Sequence, residues 1–410
     1  MKILHLSFFD NYGGAAKAAY RVLKCQLNSK MQSDMMVYSK FTKNKNVFLV
    51  KSKFSLYLNN FIVRLLNFLL VKIYKKQSVY SLNIIPSNLA KKINKSDYDI
   101  VNFHWINHEM ISLNDISKIK KPIVWTIHDN WPFASIEHYV DINDKRIFDG
   151  YNEKNSSLLE RLIWKKKLNI FQNKISCVIA PSKWIENLAK NSLIFKNVKV
   201  VNIPYSIDPK MFYVEDKINA LKELNIKGNL KEKFIISFGA TSAYSEKRKG
   251  FKYVYKTIQK LNKEFSNIHF IVFGENSKIL KGIKNITNYS EIHDENKLRN
   301  IYNASDIFLS PSLNDNLPLT VMESLSCGTP VVAFNVGGMK DLILHKKNGY
   351  LALEDNFDDF YDGIKLFLEI NVKKKINYLE IIEYKKFMAN FDPKVISNKY
   401  HKAYEETIHS

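Results

Sequence analysis

The sequence predicts an α/β protein of two doubly wound domains. Short apolar runs alternate with segments of helical period along the whole chain, the pattern of a parallel sheet covered on both faces. The length of 410 residues exceeds one ordinary core and suits two such domains. Between the two sets of runs, residues 202–212 hold two prolines and no clean period, the character of a hinge.

The first half offers strands at 3–7, 35–38, 100–104, 123–128 and 177–180, and the second at 234–238, 268–273, 307–309 and 331–334. The opening run is too short for the apolar core of a signal peptide and reads as the first strand. Phe251, Val254, Tyr255, Ile258 and Leu261 recur at three and four positions, so they form one buried helix face. Residues 53–76 are apolar with lysine flanks, but Asn59, Asn60, Arg64 and Asn67 interrupt them, so no spanning helix is predicted. Two readings fit this segment: a helix lying on an anionic bilayer, or a buried domain helix with a wet edge. The stretch 393–408 reads as an amphipathic helix. The expected division is 1–204, 205–390 and a final segment 391–410.

Hydrophobic and charged fractions of 46% and 25% are those of a folded protein. The cysteines, Cys25, Cys177 and Cys327, lack metal or redox spacing and fit a reducing cytosol. The net charge of +22 admits nucleic acid, an anionic membrane surface or a lysine-rich genome as its cause. No zinc-finger, RNA-recognition or basic-zipper pattern is present and lysines run through the whole chain, so no nucleic-acid partner is expected.

The candidate chemistry lies at strand ends. Asp315 and Glu323 stand eight positions apart, separated by a loop with Pro318 and a short apolar helix. That spacing lets both carboxylates point one way. Proline suits a helix's first turn, whose unpaired amides bind phosphate. Such a site suits a sugar nucleotide: carboxylates to hydroxyls, amides to pyrophosphate. Gly13 and Gly14 lie between the first strand and an Ala-rich helix, where a ligand can approach the backbone. His104 and His128 end strands, the side of a parallel sheet where ligands bind. Asp129 reads as local support, and Trp131 either stacks on a sugar or packs. Lys247, Arg248 and Lys249 follow a strand and precede a helix, where cations neutralise a pyrophosphate leaving group. Asp97 and Asp99 spell D-x-D, but they precede their strand, at the wrong end of a sheet for a ligand, and no metal is predicted.

The string 310–334 resembles the retaining glycosyltransferases of family 4, whose fold is GT-B. Gly13-Gly14, the His128-Asp129-x-Trp131-Pro string, Lys249 and Asp315/Glu323 occur in that family's order. The resemblance implies two Rossmann-like domains facing a central cleft, with the last helix crossing back to the first domain. It implies Asp315 on the donor sugar, with Asn316 and Leu317 beside it, Glu323 on the ribose, and Lys249 with Arg248 on the pyrophosphate. Gly13 and Gly14 face the donor and acceptor, and His128 reaches the sugar. His104, Asp129 and Trp131 are further candidates for sugar or acceptor contact. The family has Glu where Asp315 stands, and an early Arg where Thr241 and Ser242 stand. The implied reaction needs no cofactor. Its donor is a UDP- or GDP-sugar, and its acceptor a glycan, often lipid-linked, at the cytoplasmic membrane face, in capsule, O-antigen or exopolysaccharide synthesis. Two rival readings are a GT-B sugar-nucleotide 2-epimerase and a non-catalytic basic protein on membrane or RNA.

Overall fold

The computed structural model describes residues 1–50, 53–74, 79–141, 144–226, 230–240, 244, 246–274, 280–373 and 387–409, with side chains throughout except at 53–60 and 370–373. The chain forms two compact units, Met1–Ser206 with Pro393–Ser410, and Ile207–Asp392.

Unit 1 holds β1 (Lys2–Phe9), β2 (Gln32–Ser39), β3 (Val47–Leu49), β4 (Ile100–Phe103), β5 (Ile123–Thr126), β6 (Ile175–Ala180) and β7 (Lys199–Asn202), in sheet order β3-β2-β1-β4-β5-β6-β7. Each of these neighbouring pairs is parallel. Side chains alternate between faces along each strand. Leu4 and Leu6 join the larger core cluster. Ile3 joins the opposite one with Val22, Ile100, Val124 and, from the final helix Pro393–Ile408, Ile396, Tyr400 and Tyr404.

Unit 2 holds β8 (Phe234–Gly239), β9 (Ile268–Phe273), β10 (Ile286–Asn288), β11 (Ile307–Ser310), β12 (Val331–Phe334) and β13 (Gly349–Ala352), in order β10-β9-β8-β11-β12-β13. These pairs are parallel too. In both sheets the chain winds outward one way and then the other. The reversal lies between β1 and β4 in unit 1 and between β8 and β11 in unit 2. A doubly wound sheet opens a crevice at that point, beyond the carboxyl ends of its strands.

One element differs from expectation. Helix Phe251–Glu264 buries Tyr253, Val254, Thr257, Ile258 and Leu261, while Phe251 and Tyr255 stay half-buried. The face turns because Tyr253 packs edge-on against Phe334 of β12 at 4.8 Å. Helix Lys53–Tyr74 buries Val63 and Leu70 yet exposes Phe61, Leu65, Phe68, Leu69 and Ile73.

Candidate functional site

In unit 2 the loops after β8 and β11 meet at the reversal point. A 3₁₀ turn, Lys247–Lys249, precedes helix Phe251–Glu264. Lys249 Nζ donates to Asp315 Oδ2 at 2.7 Å, and the Arg248 guanidinium lies 4.0 Å from the same oxygen. Arg248 also pairs with Glu246 at 2.5 Å. The Lys249 and Asp315 side chains are only 17% and 14% exposed. Burial lowers the pKa of Lys249, although Asp315 opposes that. Burial would raise that of Asp315, but Lys249 and Arg248 outweigh it and hold the carboxyl below its ordinary range.

Backbone fixes this geometry. Leu313 N–H donates to Arg248 O at 2.7 Å and Gly338 N–H to Asp315 O at 3.2 Å. Gly250 (φ 71°) and Gly337 (φ 54°) adopt left-handed backbone at these crossings. A Cβ would come within 1.8 Å of Pro311 O at Gly250 and within 1.9 Å of Asp315 O at Gly337, so only glycine fits. Asn316 and Leu317 are buried between Asp315 and helix Leu319–Ser326. Pro318 is the residue before that helix (φ −69°, ψ 123°), one position outside the expected first turn. Glu323 is buried on the helix and accepts from the Tyr302 hydroxyl at 2.9 Å.

In unit 1 the Gly13–Gly14 turn follows β1 and starts helix Gly14–Asn28, and a Cβ on either glycine would meet nothing within 4 Å. His104 follows β4 and His128 follows β5, but neither presents a ring nitrogen outward. His104 Nδ1 bonds His128 Nε2 at 3.0 Å and His104 Nε2 bonds His5 Nδ1 at 2.9 Å. His128 Nδ1 bonds the Tyr205 hydroxyl at 2.7 Å. His104, expected as a sugar or acceptor contact, is thus sealed between two histidines. His128 reaches a ligand only by exchanging Tyr205. Neither His5, inside a strand, nor Tyr205, near the end of the first stretch of unit 1, was legible as part of this array.

Asp129 is local support: it accepts from His138 Nδ1 at 2.6 Å, Trp105 Nε1 at 2.9 Å and Trp131 N at 3.0 Å. Its carboxyl is held below the ordinary range, burial being overcome by His138 and the hydrogen bonds. Trp131 does not offer a face to a sugar. It is fully buried, donates Nε1–H to Ser81 O at 2.8 Å and lies under Lys167 Nζ, 3.4 Å from the ring centroid. Lys167 Nζ also donates to Trp131 O at 2.6 Å, to Ala134 O at 3.2 Å and to Ser135 O. Asp97 and Asp99 sit before β4, with Asp97 paired to Lys2 and Asp99 accepting from Lys2 N at 2.7 Å. Thr241 and Ser242 lie outside the described residues. Among the described residues, no group of His, Cys, Asp and Glu is arranged to hold a metal ion.

Two families match the chain: Glycosyltransferase Family 4 over residues 51–210 and Glycosyl transferases group 1 over 222–386. An uncharacterized glycosyltransferase of Haemophilus influenzae is 32% identical over 158 residues, 37% of this chain and 43% of that protein. An uncharacterized 41.2 kDa protein in the cps region of Klebsiella pneumoniae is 28% identical over 215 residues, 50% of this chain and 56% of that protein. The chain thus aligns with about half the length of these relatives. Anabaena HepE, solved in complex with UDP-glucose, shares the fold with a TM-score of 0.66 at 14% identity, over 99% of this chain and 100% of HepE. Two doubly wound units, a cation–carboxylate pair at a sheet reversal and matches along both halves lead to one assignment: the chain belongs to the family 4-like glycosyltransferases with the GT-B fold.

Proposed function

We propose that the protein moves a sugar from a nucleotide-diphospho-sugar to a glycan acceptor, with retention and without a metal, in cell-surface polysaccharide synthesis. The observation that carries this is the Lys249–Asp315 pair, with Arg248 beside it, at the reversal point of the unit 2 sheet. The donor's diphosphate takes Lys249 and Arg248, which releases Asp315 to the sugar hydroxyls. Glu323 receives the ribose. Charge grows on the departing diphosphate in the transition state, so the cations act more strongly there than on bound substrate. Asp315 is one methylene shorter than Glu, and the backbone contacts at Gly337 and Gly338 set its reach.

The acceptor in this reading is lipid-linked and met at an anionic bilayer. Support comes from helix Lys53–Tyr74. Its exposed residues Phe61, Leu65, Phe68, Leu69 and Ile73 follow three- and four-residue spacing and so share a face, opposite Val63 and Leu70. Phe61, Phe68 and Ile73 are 67%, 65% and 66% exposed. Arg64 and Lys72 are exposed among them, while Lys75 and Lys76 lie outside the described residues. Tyr74, on the side of Val63 and Leu70, bonds Ser157 at 2.7 Å and ties the end of the helix to unit 1. Apolar bulk with cations matches an anionic bilayer surface, and the net charge of +22 adds to the attraction. No described helix is long and apolar enough to cross a membrane.

The test is a panel of UDP- and GDP-sugars read by thermal shift, followed by transfer to membrane-lipid extract with the product's anomeric configuration assigned. A ligand at 100 times its Kd stabilises the fold by about 2.7 kcal/mol. Stabilisation by none of the panel, or an inverted product, overturns the reading. Turnover without acceptor that interconverts the donor's C2 epimers establishes the epimerase instead.

A further inference from the structure

One buried array is not used by the donor site. It crosses the reversal point of the unit 1 sheet, from β1 to the ends of β4 and β5. Gln26 Oε1 lies 2.8 Å from His5 Nε2 and accepts the Ser33 hydroxyl as well. Gln26 Nε2 donates to the Tyr404 hydroxyl at 3.1 Å, which also accepts from Asn102 at 2.7 Å. His5, His104 and His128 then follow in line to Tyr205, each ring bonding the next within 3.0 Å.

In a neutral imidazole one nitrogen donates and the other accepts. With the Gln26 oxygen as terminal acceptor, His5 must carry its proton on Nε2, leaving Nδ1 to accept. His104 must then donate from Nε2 and accept at Nδ1, and His128 likewise. The Tyr205 hydroxyl closes the chain by donating to His128 Nδ1. Burial disfavours the charged rings, pushing His5 and His128 to about 4 and His104 well below its ordinary value. The line therefore stays neutral at pH 7, and its direction is set at Gln26.

We propose that His5, His104 and Gln26 are positioning residues that fix the tautomer of His128, so that its Nδ1 only accepts a hydrogen bond and exchanges the Tyr205 hydroxyl for a carbohydrate hydroxyl. This site rejects a phosphate or carboxylate oxygen, which has no proton to offer. The role in transfer rests on the glycosyltransferase reading; the tautomer order stands without it.

The test uses the full chain labelled with ¹⁵N-histidine, read by two-bond ¹H–¹⁵N correlation at pH 7. All three rings should show protonated Nε2 and bare Nδ1, and protonated Nδ1 on His128 overturns the proposal. Gln26→Met should turn His128 into a tautomer mixture and lower transfer at least tenfold, while nucleotide diphosphate binding in unit 2 is kept. Gln26→Glu, which retains the acceptor oxygen, should restore both the single tautomer and transfer. Unchanged His128 signals in a folded Gln26→Met variant refute the relay. Tyr205→Phe covers the case where Gln26→Met does not fold. It should leave the three tautomers as they are, and their scrambling would place control at Tyr205 and overturn the assignment to Gln26. Correct tautomers in a chain that transfers no sugar would sink the proposed function alone.

Discussion

Lys249→Met separates the two jobs assigned to the Lys249–Asp315 pair. At 2.7 Å the attraction is on the order of 6 kcal/mol at an effective dielectric constant of about 20. Desolvation of both groups offsets much of it, and removing one partner of a buried pair costs about 3–5 kcal/mol. Partial exposure and Arg248 at 4.0 Å reduce this to roughly 2–3 kcal/mol. For a unit the size of Ile207–Asp392 that is roughly 4–12 °C in Tm. Differential scanning fluorimetry reads the loss without ligand. Lys249→Met/Asp315→Asn should recover at least half of it, because the uncompensated charge is gone. Turnover should stay roughly 100- to 1000-fold down in both variants, because the leaving diphosphate still lacks its cation. A double variant no more stable than the single one would show that the pair is not the source of the stability. Turnover within tenfold of wild type in Lys249→Met would end the leaving-group assignment.

Glu323→Ala should weaken nucleotide diphosphate at least tenfold, since a hydrogen bond to a carboxylate contributes about 1.5–3 kcal/mol; calorimetry showing equal affinity removes Glu323 from the ribose. Asp315→Asn should reduce turnover more than nucleotide affinity, and the reverse order means the two acids have exchanged roles. Acid should destabilise the fold. His5 and His128 titrate at about 4 when folded, below their unfolded value of about 6.5. Their contribution is complete above the unfolded value and is lost as pH falls toward the folded one, at about 1.4 kcal/mol per pH unit for each ring. A Tm unchanged between pH 7 and 4.5 contradicts this. Phe68→Ser/Ile73→Ser should release the protein from anionic vesicles, since each side chain contributes about 1.5–3 kcal/mol when fully buried. High salt should weaken attachment of wild type as well, and co-sedimentation equal for both proteins leaves the stripe without a bilayer role.

Among the described residues, nine strands were legible as apolar runs, and the four that were not, β3, β7, β10 and β13, are the four sheet edges. An edge strand is short and covered less completely, so Lys199-Val-Val-Asn202 and Ile286-Thr-Asn288 carry too few apolar residues to stand out. The donor-side residues were legible because local strings hold Lys249, Asp315 and Glu323. Their partners were not: Tyr302 meets Glu323 across 21 positions, and Gly337 meets Asp315 by backbone alone. The histidine array joins residues far apart, His5 to His104 across 99 positions and Gln26 to Tyr404 across 378, and its members each look like ordinary core or strand-end residues in the sequence.

Lys167 gives unit 1 an internal clock. Its amine is enclosed by the carbonyls of Trp131, Ala134 and Ser135, so an acylating reagent must wait until that turn opens. Exposed Lys43 and Lys45 are labelled without any opening and supply the zero of time. Peptide mass spectra taken through such a reaction would register each opening of the turn behind His128, at a single atom and without an introduced probe.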